Sequence, residues 1–304
     1  MTRAALVLFF CQVIWSLGGV VITLEPLPVV NLMALALLSA GVVVGVAAGR
    51  RALSLASWRL RAEATGFGVV NGLCNLLSGL AILLAGVGNA AFAIAATPLF
   101  IVIIARPLTG DRLPARAVPA LLLGALGVGL LLAAGRGADG GQNVMLGLLC
   151  GLLAALLAAV SALGGRRLAP RIGVEAAVAW TLFIGGLSLL PFVEWRAFLD
   201  IAPLMLPLVA IWITGHFVIA PVLYTRAARI APAFVLAAAT FVNTALAPVW
   251  GALIFGERLL PLALAGVGLA LAANVLLMLI LRNAARNTAQ PEPAPTTPTT
   301  APAL

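Results

Sequence analysis

Apolar runs of about twenty residues recur along the whole chain, and that recurrence leaves few folds open. A helix that crosses a bilayer needs about 20 mostly apolar residues. Hydropathy marks ten such runs, at 4–23, 29–48, 65–85, 90–106, 117–134, 144–163, 174–193, 203–224, 232–254 and 261–281. Turn-forming segments punctuate them: EPLP after the first, GRR after the second, GRGADGGQ after the fifth, GGRRLAPRIG after the sixth. The residues are 63% apolar and 9% charged, against about 45–50% and about 25% in soluble domains. So little polar side chain cannot cover a globule in water, and most of the surface must face lipid. A large extramembrane catalytic domain is excluded. So is a porin-type barrel, whose strands alternate in polarity over about 10 residues. The first run follows Arg3 but precedes no A-x-A site, so it reads as an uncleaved helix and not a signal peptide.

Charge orients these spans. All 18 basic residues are arginine, against 9 acidic ones, for a net charge of +9. With no lysine there is no P-loop lysine and no Schiff base. The arginines lie between apolar runs and not on one polar face, which argues against nucleic acid as a partner. With the N-terminus in the cytoplasm, 15 arginines fall on the cytoplasmic side and only Arg136, Arg196 and Arg258 on the other. The positive-inside rule therefore places both termini in the cytoplasm, in a bacterial inner or other plasma membrane. Residues 287–304, rich in Pro and Thr, read as a disordered cytoplasmic tail.

The two halves echo each other. AAFAIAATPLF at 90–100 resembles PAFVLAAATFV at 232–242, GDRL at 110–113 resembles GERL at 256–259, and SLGG at 16–19 resembles ALGG at 162–165. The run from Pro119 resembles that from Pro261, with Gly124 on Gly266. Five spans per half is an odd number, so the second half enters the membrane from the opposite side. The expected fold is an all-α membrane protein with ten transmembrane helices in two inverted five-helix repeats, 1–137 and 138–286. Secondary transporters commonly have that architecture, with the substrate near the midplane.

The stretch TGHFVIAPVLYTRAARIAPAFVLAAATFVNTALAPVWGALIFGERL at 214–259 is similar to the EamA branch of the drug/metabolite transporter superfamily, and ATPLFIVIIARPLTGDRL at 96–113 carries the likeness into the first half. The first half departs from the pattern at Asp111, where glutamate is usual, and in the second span, which lacks the usual Arg-Phe. The resemblance implies a ten-helix transporter over about residues 4–282. Members of this family export amino acids or other small metabolites, so it says more about fold than about cargo.

Polar side chains at mid-depth are costly in lipid and usually face protein or a water-filled cavity. Asn71, Asn75 and Ser78 share one face of the third span, and Thr240, Asn243 and Thr244 share one face of the ninth. Thr97 precedes Pro98 in the fourth, Gln12 and Trp15 lie in the first, and His216 in the eighth. Trp15, Asn71, Asn75, Thr97, His216, Thr240 and Asn243 are thus the candidate substrate-binding residues, with Trp180 and Trp212 as further candidates for the wall. Interhelical hydrogen bonding, worth about 0.6 kcal/mol each, is the structural alternative.

His216 is the one mid-depth group that changes charge near neutral pH. Glu25, Glu63, Asp111, Glu175, Glu194, Asp200 and Glu257 fall at span ends or in loops. The expected partner is a small neutral or zwitterionic metabolite, moved either by uniport or with proton coupling through His216, by a monomer or homodimer. No catalytic residue, metal or cofactor is expected, since one histidine and three cysteines inside apolar runs make no zinc site or disulfide framework. GVGNAA at 86–91 mimics a dinucleotide fingerprint but follows no strand. Glu257 and Asp111, each beside an arginine, read as ion-paired anchors or as gates. Pro98 and Pro248 read equally as hinges or static kinks. Gly41/Gly45/Gly49, Gly68/Gly72 and Gly147/Gly151 permit close helix approach. The alternatives to a carrier are a polytopic membrane enzyme, which would need a nucleophile with a base or a metal cluster, and a non-transporting scaffold.

Overall fold

The computed structural model describes residues 2–49, 57–97, 99–101, 103–104, 116, 118–136, 142–200, 205–230, 233–257 and 261–288. Among these residues there is no strand. The helices are α1 (Thr2–Ser16), α2 (Gly18–Leu24), α3 (Val29–Ala48), α4 (Trp58–Ala85), α5 (Val87–Ile94) and α6 (Val118–Arg136). They continue with α7 (Gln142–Ile172), α8 (Val174–Leu189), α9 (Leu206–Trp212), α10 (Ala220–Ala228), α11 (Ala233–Phe255) and α12 (Pro261–Thr288). A π-helical segment, Ile213–Ile219, joins α9 to α10.

Among the described residues six segments are long and apolar enough to cross a membrane: Leu6–Leu24, Val29–Ala48, Trp58–Ala85, Asn143–Ile172, Val174–Phe192 and Leu206–Ala228. Shorter apolar helices, Val87–Ile101, Val118–Gly127, Leu246–Phe255 and Leu264–Ala273, overlap the other four sequence runs. Large apolar side chains stand on the outer surface, Val46 at 78% and Leu253 at 74% exposure among them. Such a surface suits lipid and not water, and the chain is a multi-pass membrane protein.

Close crossings of small residues build the interior. The main core joins α3 and α8 with flanking residues of α2, α4, α7, α9 and the π segment. At the α3–α8 crossing a Cβ on Gly41 would lie 2.6 Å from the Phe183 backbone nitrogen. At the α4–α8 crossing Gly72 faces Gly185. Gly147 lies against Ala85 and Gly151 against Ala93. In lipid, van der Waals contact replaces the hydrophobic drive between helices, so this proximity is the source of stability. All three small-residue motifs therefore contribute to packing, except at Gly49, where nothing lies within 4 Å of an added Cβ.

The helix pairings follow a pattern. α4 packs along α7 and α1 along α10; α8 packs on α3 and α12 on α6; α11 meets α5 and α1, while α5 meets α7. Exchanging each sequence run of the first half with its counterpart five places on maps this set of contacts onto itself. Polar contacts join helix ends in two groups. Glu63 at the start of α4 pairs with Arg167 at 2.5 Å and Arg171 at 2.7 Å near the end of α7. Glu175 at the start of α8 pairs with Arg226 near the end of α10. At other ends, the Asn31 side chain of α3 donates to the Glu194 carbonyl at 2.8 Å and accepts from the Glu194 N–H at 3.0 Å.

Candidate functional site

Two irregular helices meet at one place. The first span is broken at Leu17, between α1 and α2, where the Leu17 and Val20 N–H groups bond three residues back, to Ile14 and Leu17. The Ser16 hydroxyl donates to the Val13 carbonyl at 2.7 Å, a bond that competes with the helix ladder. Opposite lies the π segment, the eighth span's own irregularity. The Trp15 Nε1–H donates to the His216 carbonyl at 3.0 Å, so an indole satisfies backbone inside the π turn. Turns of this kind occur mostly as single bulges, frequently at functional sites.

An aromatic group fills the junction. Trp15 packs on Tyr224 with ring centroids 5.0 Å apart and stands edge-on to His216 at 6.5 Å. His216 forms a three-ring cluster with Trp212, at 5.5 Å, and Phe217, at 4.7 Å, both tilted to it. A Cβ at Gly18 would lie 2.9 Å from His216 Nδ1, so the bare backbone of the break lets the imidazole approach. The Trp250 indole of α11 donates to Ser16 Oγ at 3.1 Å and brings a third helix to the break. Among the described residues, Trp212 Nε1 and His216 Nδ1 are buried with no hydrogen-bond partner. A buried donor and a buried acceptor left unpaired are costly to the protein alone.

Two of the remaining candidates make local hydrogen bonds. Asn75 donates to the carbonyl of Asn71 at 2.8 Å, within α4. The Thr97 hydroxyl donates to the Ile94 carbonyl at 2.6 Å, just past α5. Asn243 is half-buried on α11, as is Pro248, and Thr240 lies on the same helix with its side chain outside the described residues. Pro98 and Asp111 are also outside them. Among the described residues no hydrogen bond links the Asn71–Asn75 pair to the Trp15–His216 junction. An open apolar groove of about 280 Å³ borders the π segment. Val43 and Ala47 of α3, Val218, Ile219, Val222 and the Glu175–Arg226 pair line it; none of the seven expected residues does. Sequence reasoning missed Ser16, Gly18, Tyr224 and Trp250. The one available signal was SLGG beside a tryptophan.

Glu25 is not the solvated span-end acid its position suggests. It is only 6% exposed, and neither carboxylate oxygen has a hydrogen-bond partner among the described residues. Burial raises its pKa above the ordinary glutamate value. The native state therefore binds this proton more tightly than the unfolded chain does. The stability it adds is complete below the ordinary glutamate pKa and is lost as pH rises through the raised native value. Glu25→Gln is expected to flatten that loss and to raise the unfolding temperature at neutral pH. A variant that keeps the wild-type slope would rule Glu25 out as its source.

Residues 145–279 match the family model described as the EamA-like transporter family. This stretch is EamA-like. It runs from α7 into α12 and contains Trp212, His216, Tyr224, Trp250 and Glu257, while Trp15 lies in the half outside the match. A solved structure described only as a crystal structure of a protein is similar over 93% of this chain and 99% of its own, with a TM-score of 0.62 and 22% identity. The EamA-like stretch and its partner half thus share one fold with a solved protein. Among curated proteins, none matches the chain by sequence.

Proposed function

We propose that the protein is a secondary transporter that exports a small neutral or zwitterionic metabolite, an amino acid or similar solute, by alternating access. The observation that carries this reading is the meeting of a broken helix and a π segment at Trp15 and His216, within an EamA-like fold. Carriers build substrate sites where spanning helices are discontinuous, because interrupted backbone tolerates membrane depth only when it lies within protein or lines a cavity. Asn71, Asn75, Thr97, Thr240 and Asn243 are then secondary candidates for the solute path.

Two inverted five-helix repeats, 1–137 and 138–286, are the architecture this mechanism uses. The mapping of helix pairings onto themselves supports that duplication. The ion pairs of Glu63 and Glu175 join ends that the arginine bias assigns to the cytoplasm, and Asn31–Glu194 joins ends assigned to the far side. Both support the ten-span count, with both termini in the cytoplasm of a bacterial inner membrane. A site without a fixed charge favours a neutral or zwitterionic solute over a strongly anionic one.

The test begins with metabolite profiles of cells lacking and overexpressing the protein. The solute that changes is then followed in proteoliposomes. Flux is expected in wild type and is expected to fall at least about tenfold in His216→Ala, the size of effect that follows from removing one well-placed polar group. Unchanged flux in a folded His216→Ala protein would move the site elsewhere. Absence of flux for every changed solute would favour the scaffold.

A further inference from the structure

The end of α11 is built to place one carboxylate on another helix. Gly256 adopts a left-handed backbone, φ 65°, which ends α11. Its N–H reaches the Ala252 carbonyl at 3.2 Å, and the Glu257 N–H turns back to the Gly251 carbonyl at 3.2 Å. The Glu257 side chain then leaves its own helix. Oε1 accepts from the Val87 N–H at 2.6 Å and Oε2 from the Gly88 N–H at 2.9 Å. These are N–H groups of the first turn of α5, which find no partner inside their own helix. Both bonds are charge-assisted, and the positive end of the helix adds to them.

Two glycines make room for this carboxylate. A Cβ at Gly86 would lie 2.8 Å from Oε1, and one at Gly251 would lie 2.9 Å from Cδ. Arg258, the neighbour that the sequence expectation pairs with Glu257, lies outside the described residues; among the described residues the partner of Glu257 is a helix end. The sequence carries GDRL at the corresponding end of the first half, with Asp111 in place of Glu257.

We propose that Glu257 is the latch that holds α5 and α11 together on one face of the carrier, and that it must release for that face to open. This rests on the alternating-access reading above. α5 and α11 belong to opposite halves, so their seam is one of those along which the halves would part. Apart from the latch, the α5–α11 seam has no hydrogen bond or ion pair among the described residues. Contact along its length can thin gradually, whereas the two Glu257 bonds either form or break. Once parted, water can solvate both the carboxylate and the freed N–H groups, so release is reversible.

The experiment reads opening without any substrate. Cys11, Cys74 and Cys150 are replaced by serine, and Asn89, in the first turn of α5, becomes the single cysteine. The purified protein in nanodiscs is exposed to a bulky hydrophilic maleimide, and the labelling rate is followed. Glu257→Ala is expected to raise the rate at least about tenfold, the effect of losing charge-assisted bonds. Glu257→Gln, which keeps the shape and one acceptor, is expected to raise it about threefold and carries the test if the alanine variant does not fold. A folded Glu257→Ala protein that labels at the wild-type rate overturns the latch. So does one with a lowered unfolding temperature and an unchanged rate, because Glu257 would then be a helix cap only. Solute flux decides the transport reading separately from these rates.

Discussion

Gly72→Ala is expected to destabilise the protein by at least about 2 kcal/mol, the scale for overpacking a tight crossing. The added methyl would lie 2.9 Å from the carbonyl carbon of Gly185 and 2.8 Å from Ser188 Oγ. Ser188 can rotate, but the backbone of α8 cannot move without parting from α4 along its length. The crossing is tight from both sides, since a Cβ on Gly185 would lie 3.0 Å from both the Gly68 carbonyl oxygen and the Gly72 nitrogen. Gly66→Ala is the control. It lies on the same helix with nothing within 4 Å of the added Cβ, and alanine there is expected to stabilise by about 0.5–1 kcal/mol through helix propensity. Thermal unfolding of the two purified variants in detergent should move in opposite directions. Equal behaviour would mean that α4 and α8 do not cross at these glycines.

Trp15→Phe is expected to have the larger functional effect for the smaller chemical change. Phenylalanine keeps most of the apolar area but removes the one N–H that reaches the His216 carbonyl. An acceptor left unpaired costs about 1–3 kcal/mol, and the junction can recover it only by rewinding the π segment or admitting water. Either response moves His216 relative to Gly18. Solute flux is expected to fall at least about tenfold, with a lowered unfolding temperature. Asn75→Ala is the comparison. Its amide bonds chiefly to Asn71 of its own helix, so flux is expected to change less than about threefold, in keeping with the modest worth of such bonds in lipid. If Asn75→Ala abolished flux and Trp15→Phe did not, the solute path would run along α4 and not through the junction.

The fold class was legible because lipid makes a coarse demand. Each spanning segment must be apolar over its whole length, and that pattern survives without any knowledge of neighbours. The ends that meet across the bundle, Glu63 with Arg167 and Arg171 among them, were legible through arginine placement for the same reason. The site was only partly legible. Periodicity put Asn71 and Asn75 on one face, but it could not show that Asn75 turns back to its own helix. Position made Glu25 look like a residue of the membrane boundary, but neighbouring residues leave it only 6% exposed.

The paired glycines show where local sequence stops. Leu-Gly-Gly occurs at 17–19 and again at 163–165. By itself the sequence determined two helices with a weak point at corresponding places, since glycine lowers helix propensity in both. Only the tertiary structure decided which one breaks. At Gly164 the Phe67 ring lies where a side chain would sit, and α7 runs straight through the pair. At Gly18 the His216 imidazole presses on the backbone while Trp15 and Ser16 take hydrogen bonds outside the ladder, and the helix ends. A ring presses on both glycines; what differs is the serine beside them, since the Ser16 hydroxyl takes the Val13 carbonyl while that of Ser161 has no partner among the described residues.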